Sequence, residues 1–438
     1  MAIIPQTTLF SWEDDIENLG DLERLDATLA NLPDEMFMRK LENERGRGRD
    51  DYPVRAMWNA VIAMVVLGHR RFADAIRELR RNAQLREVCG FGAVGSVASV
   101  PGPDNMSRFV GKLEGHKEDI QDIFIAQSDR LYGLLPDFGE CLAIDSKWVW
   151  SLANGRSGRE DPDGRSETDA EWGRKEYRGV RGDGTEWCRT EKCFGFKAHV
   201  LVDAKYELPV AFVNSSASGN DTVWGKELFE AVEKARPHVI EKCRFLLADR
   251  GYDDTALILW LKERGVKAVI DKRDMWKAET EKPLPGHEGV FYYNERGEVF
   301  CYAKESGERH MLRAAGYEEK RDALRKECPV SMYGASCKEA DTCTYCKNVR
   351  VPLGTDPRIF TQVDRQGYKW KRLYAARTAV ERVNSRLDVS FGFETRRVRG
   401  MNKMDLFTAL AFSVMDTLAV ASILSKKPER MRSLVWAA

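Results

Sequence analysis

One stretch, Arg244-Phe-Leu-Leu-Ala-Asp249-Arg-Gly-Tyr-Asp253, constrains the fold of this chain more than any other. A short apolar run stops at an aspartate, and after Gly-Tyr a helical pattern runs from Asp254 to Arg264. An apolar run this short, bounded by a turn, reads as a strand buried on both faces. Open α/β sheets place their chemistry just beyond the carboxyl ends of such strands. Alone, Asp249 reads equally well as the cap of the next helix, since Asp is a favoured N-cap. Other carboxylates must decide.

Upstream, Leu142-Ala-Ile-Asp145-Ser-Lys-Trp-Val149 is a first strand, alternating Phe196–Asp203 a second and Leu208–Asn214 a third. A helical pattern, Thr222–Ala235, precedes the Asp249 strand, and Lys267–Asp271 forms a fifth strand after the next helix. Three antiparallel strands followed by βα units give an α/β architecture, a mixed sheet in the order of an RNase H-like fold. Ser151–Thr190 has no clear period and reads as a long loop. Residues 1–138 read as a helical region, with helices at Val54–Leu67, Phe72–Val88, from Asn105, and at Asp119–Leu134. The helix from Asn105, with Ser107, Arg108 and Lys112, suits either a helix-turn-helix-like DNA reader or a buttress for the next domain. The core then occupies 139–271 and a β-rich, cysteine-containing insertion 272–367; residues 368–438 complete it with a long helix, Tyr368–Val389, and an apolar one.

Asp145 sits within an apolar strand, where an acid is costly unless it meets a partner or a metal. In this strand order the fourth strand lies beside the first, so Asp145 and Asp249 converge and need cations between them. Two bridged divalent metals activate a water and steady the leaving oxygen of a phosphoryl displacement. Tyr374, Arg377 and Glu381 recur at i, i+3 and i+7, on one helical face. Glu381 would complete the metal cage, while Arg377 and Tyr374 would hold a phosphate. An ordinary i, i+4 surface pair explains Arg377 and Glu381 but neither the tyrosine nor the basic flanks.

Those flanks matter because the chain as a whole is neutral, with 69 basic and 69 acidic residues. From Arg365 to Lys403 eleven Lys/Arg meet three acids, so this block suggests a polyanion-facing surface.

With these residues in view, the chain resembles bacterial insertion-sequence transposases of the DDE class, in the subgroup with a Tyr-x2-Arg-x3-Glu-x6-Lys helix. The matching pieces are Ala143-Ile-Asp145, Gly195-Phe-Lys-Ala-His199-Val-Leu-Val-Asp203, Gly219-Asn-Asp221, Ala248-Asp-Arg-Gly-Tyr252 and Arg377-x3-Glu381-Arg-x-Asn384. The resemblance implies an enzyme that cuts mobile-element ends and transfers strands into target DNA. It implies Asp145, Asp249 and Glu381 as catalytic acids holding Mg2+ or Mn2+, and double-stranded DNA as partner. A homodimer in the paired-end complex and a cytoplasmic, nucleoid-associated location in a bacterium follow. Two other readings remain: a nuclease or resolvase that only hydrolyses, and an inactive DNA-binding descendant. One departure is plain, since the signature lysine falls at Asp388. Its phosphate contact then moves to Arg386 or Arg396, or is absent. Arg396, Arg397 and Arg399 are expected to track the DNA backbone.

The ten cysteines, without a secretory signal, are expected as reduced thiols or metal ligands. Cys328, Cys337, Cys343 and Cys346 contain one tight Cys-x2-Cys pair and are candidates for a structural zinc, with Cys301 as a substitute ligand. The apolar stretch Leu406–Leu424 is long enough for a membrane, but Asp416 interrupts it and a packed core helix is expected.

Overall fold

The computed structural model describes residues 19–46, 52–92, 100–153, 167–277, 280–343, 348–395 and 398–434. Among the described residues seven α-helices come first: α1 Glu23–Asn31, α2 Glu35–Arg45, α3 Val54–Val66, α4 Phe72–Arg81, α5 Ala83–Cys89, α6 Pro103–Leu113 and α7 Lys117–Leu134. The expected single helix over Phe72–Val88 is divided at Asn82. That residue closes α4, and its side chain accepts the Leu85 N–H to open α5. Asn competes with helical hydrogen bonds in this way, which an apolar pattern does not register.

A mixed sheet follows, built from β1 Cys141–Trp150, β2 Glu171–Val180, β3 Glu186–Asp203, β4 Leu208–Ser216, β5 Phe245–Ala248 and β6 Lys267–Ile270. Its core order is β4-β3-β1-β5-β6. β1 runs antiparallel to β3 and parallel to β5, and β5 runs parallel to β6. Helices α8 Asp221–Ala235, α9 Pro237–Lys242 and α10 Thr255–Glu263 supply the connections. The short apolar strands β5 and β6 are buried except at their first residues, as double-sided coverage requires.

The span expected as a long loop, Ser151–Thr190, instead contains β2 and the start of β3. These pair antiparallel from Glu171 opposite Gly195 to Val180 opposite Glu186. Most of this hairpin is exposed, so its sequence carries none of the apolar alternation that marks a half-buried strand.

Beyond β6 the chain forms two further small sheets. One contains β7 Glu281–Pro283, β8 Phe291–Asn294, β9 Val299–Tyr302 and β10 Arg309–Met311; the other contains β11 Arg313–Glu318, β12 Ala323–Glu327 and β13 Asn348–Pro352, with the short α11 Pro329–Tyr333 between its last two strands. Leu284, Phe291, Val299, Leu324, Val351 and Phe360 form their shared apolar cluster, distinct from the main core. Helices α12 Tyr368–Ala375, α13 Thr378–Val389 and α14 Met401–Leu424 then return to the main core. α14 is apolar all round and long enough to cross a membrane, yet 94% of its apolar window is buried within the protein. It packs between α1, α3 and α7 on one side and β4 on the other, as a core helix of this composition does.

Candidate carboxylate site

Strand pairing positions the first two acids. Ile144 on β1 lies opposite Ala248 on the parallel β5, so Asp145 and Asp249 follow at one level on adjacent strands. Asp145 accepts the Ser146 N–H at 2.8 Å, and Asp249 accepts the Gly251 N–H at 2.8 Å as it caps the turn over Arg250–Tyr252. The capping and convergent readings of Asp249 thus hold together. Burial, and then the Asp249 charge, push the Asp145 carboxyl up to about 6; the Ser146 N–H, Lys175 and Arg377 oppose the rise.

A third aspartate joins them. Asp221 opens α8, but the cap is Asn220, whose side chain accepts the Thr222 N–H at 3.0 Å. Asp221 instead pairs with the buried Lys197 at 3.0 Å, and Lys197 also donates to the Gly219 carbonyl at 2.7 Å. A Cβ on Gly251 would stand 2.8 Å from Asp249 Oδ1 and 3.2 Å from Asp221 Oδ2, so two carboxylates crowd this glycine. Beneath them Tyr252 is fully buried, and burial, then Asp221, Asp145 and Asp249, raise its phenol.

His199 and Asp203 share a face of β3 by strand periodicity but do separate work. His199 lies opposite Ser146, contacts Ser215 Oγ at 3.0 Å and stacks on Trp224 at 6.1 Å. Burial lowers its imidazole to about 4, so the ring is neutral near pH 7, and Nδ1 stands 3.8 Å from Asp221. Asp203, one turn-forming acid at the strand end, accepts the N–H groups of Gly139, Lys205 and Tyr206 at 2.8, 2.9 and 2.6 Å.

The expected continuous helix Tyr368–Val389 is interrupted at Ala376-Arg377. Ala376, Arg377, Ala379 and Val380 donate to carbonyls three residues back, tightening the turn, and Thr378 Oγ1 donates to the Ala375 carbonyl at 3.0 Å. A threonine bonding back into the backbone is a known source of such breaks. Arg377 and Glu381 form the i, i+4 pair at 2.5 Å, with Glu381 half-exposed. Burial works against the Arg377 charge, but Glu381 and then Asp145 outweigh it and raise the guanidinium. Tyr374 stacks on Trp370 at 4.6 Å; burial raises its phenol, with Asp271 and Asp249 adding to the rise.

α13 lies across β1 and β3, and a groove of about 490 Å3 between them is lined by Ser146, Lys147, Lys175, Tyr177, Glu381 and Asp388. Lys147 falls on the Asp145 face of β1, two residues on, and its ammonium meets Asp388 at 2.6 Å. This cation went unnoticed in the sequence. Arg386, a proposed substitute for the signature lysine, is instead turned inward onto Glu207, and burial lowers it to about 10. The basic block is likewise not one surface: Arg365 is largely buried and donates to the Arg358 carbonyl at 3.2 Å, whereas Lys369, Lys371, Arg372 and Arg399 are exposed. Arg396, Arg397 and Cys346 lie outside the described residues.

Comparison with known proteins gives several likenesses. Residues 160–415 match a family model described as a transposase DDE domain, and residues 10–112 match one described as a transposase domain. A putative transposase for insertion sequence element IS402 of Burkholderia cepacia is 34% identical over 82 residues, which is 18% of this chain and 38% of that relative. A solved synaptic complex of piggyBac transposase with hairpin DNA aligns over 95% of this chain and 79% of its own, at 12% identity and a TM-score of 0.40.

Proposed function

Because the chain belongs to the transposase DDE-domain family, whose model spans residues 160–415, we propose that it cuts the ends of an insertion sequence and joins them to target DNA. The observation that carries this reading is the paired emergence of Asp145 and Asp249 from parallel neighbours β1 and β5, with the Arg377–Glu381 pair beside them. The strand order β4-β3-β1-β5-β6 supports an RNase H-like description of the core.

The donor set suits Mg2+ or Mn2+: hard carboxylate oxygens, one of them half-buried and raised by its neighbour until a cation relieves it. Held by Asp145, Asp249 and Glu381, such ions would activate the attacking oxygen and stabilise the leaving one. Asp221, held by Lys197, adds negative charge behind the site. Arg377, once its acid partners share a cation, is free to grip a phosphate, with Tyr374 donating beside it. The phosphate contact of the missing signature lysine passes to Lys147, held by Asp388 at the groove floor. The substrate is double-stranded DNA, two chains acting together on paired ends.

The test uses purified full-length protein, labelled element ends and a supercoiled target. Mg2+-dependent end cleavage followed by covalent joining is expected. Cleavage without joining would make the protein a nuclease; binding without either would leave a DNA-binding descendant.

A further inference from the structure

The second cluster of reactive side chains lies far along the chain, in the two small sheets. Cys301 on β9 stands directly across from His310 on β10, so their side chains share a face. Cys328, just before α11, and Cys337 in the following loop approach the same place, and among the described residues Cys301, Cys328 and Cys337 are free thiols. Cys301 and Cys328 both pack against the apolar cluster of these sheets, and Glu327, beside Cys328, pairs with Arg313 just beyond β10. The potential ligand atoms of Glu308, His310 and Cys337 all lie within 4.8 Å of one another. His310 Nε2 is buried and has no hydrogen-bond partner.

The loop that brings Cys337 here has little else to hold it. From Ser331 to Cys343 no side chain is buried. Its firm anchor is Glu339, whose carboxylate accepts the N–H groups of Lys304, Glu305 and Ser306 at 3.0, 2.8 and 2.7 Å and clasps the β9–β10 turn. An exposed loop docked on a hairpin beside three thiols and an orphaned imidazole nitrogen is what a structural metal commonly staples.

We propose that Cys301, His310, Cys328 and Cys337 bind one structural Zn2+ that fixes the loop after α11 to the β9–β10 hairpin. All four are half-buried, as a closed site requires. Glu308, which accepts the Lys338 N–H at 3.3 Å, remains a neighbour of the imidazole rather than a ligand. Thiolate and imidazole ligands both shed protons to bind zinc, so loading should release protons.

Full-length protein purified without chelators should carry about one zinc per chain. Replacing that zinc with Co2+ should give a tetrahedral thiolate–cobalt spectrum. Cys301→Ser and His310→Ala should each lower zinc content several-fold, whereas the distant Cys188→Ser should retain it. Should a variant fail to fold, alkylation of the wild-type zinc protein reads the same point: Cys301, Cys328 and Cys337 are protected until chelation, while Cys188 reacts at once. Zinc-free protein overturns the proposal. So does zinc that survives both Cys301→Ser and His310→Ala.

Discussion

Replacing Asp145 by asparagine should make the metal-free protein more stable while ending its chemistry. In the fold the carboxyl is raised from 3.8 to about 6 by burial and by Asp249. A group raised on folding contributes its stability fully below the unfolded value and loses it as pH rises through the folded one. Above about pH 6 the ionised Asp145 therefore carries a penalty. Roughly two pKa units at about 1.4 kcal/mol each give about 3 kcal/mol as an upper bound, and solvent at this half-buried site leaves about 1–3. Near pH 5 wild-type Asp145 is largely protonated and roughly half of the penalty disappears. Asn keeps the shape, can still accept the Ser146 N–H and carries no charge. The assay is chemical denaturation of both proteins with EDTA at pH 8 and pH 5, repeated with Mg2+. Asp145→Asn should be the more stable at pH 8, by a margin that narrows at pH 5. Mg2+ should stabilise wild type, by about 2.7 kcal/mol at a hundred times its dissociation constant, and should not stabilise the variant. Equal stability at pH 8 together with an equal response to Mg2+ would refute both the electrostatic account and the metal assignment.

Asp249→Asn and Glu381→Gln should each abolish end cleavage while leaving DNA affinity near wild type, since affinity rests on phosphate contacts; near-normal cleavage in a gel assay would remove that acid from the site. Alanine at Arg396, Arg397 and Arg399 should weaken binding to all sequences alike and flatten the salt dependence by about one unit of slope per lost contact. An unchanged slope means these arginines do not face DNA. Lys147→Ala should lower cleavage more than binding, and Asp388→Lys added to it should restore part of the loss by returning the cation to the helix; no rescue would leave Lys147 as a structural partner of Asp388.

Much of the sheet was legible because burial writes itself into composition. Phe245–Ala248 and Lys267–Ile270 admit little but buried strand, and the acid that ends the first of them marks where the sheet opens. The elements that escaped do so for local reasons. The β2–β3 hairpin is stabilised by its ladder from Glu171–Gly195 to Val180–Glu186, which polar residues support as well as apolar ones. Asn82 and Thr378 break helices by hydrogen bonds from their own side chains, and a periodicity of apolar residues does not encode those bonds. Asp416 shows the converse. It interrupts the apolar run of α14 yet is fully buried, its carboxyl held well above the usual range by burial, so a lone acid does not exclude a core helix.

The residues missed at the site are those whose role depends on register. Asp145 and Asp249 stand out singly, each an acid at the edge of apolar sequence. Lys147 and Lys197 look like ordinary surface charges until the strands are paired, and Asp221 reads first as the cap of the next helix. Then period-two alternation puts Lys147 on the face of Asp145, and Ser146 opposite His199 puts Lys197 and Asp221 on the other. The departure at position 388 follows from the same geometry. An acid on the helix, facing a strand lysine at 2.6 Å, leaves one positive and one negative charge in the groove. A lysine on the helix facing a strand acid would leave the same charges there. The groove thus keeps an ammonium, supplied by the strand rather than the helix. A motif read along one helix alone records that as a loss.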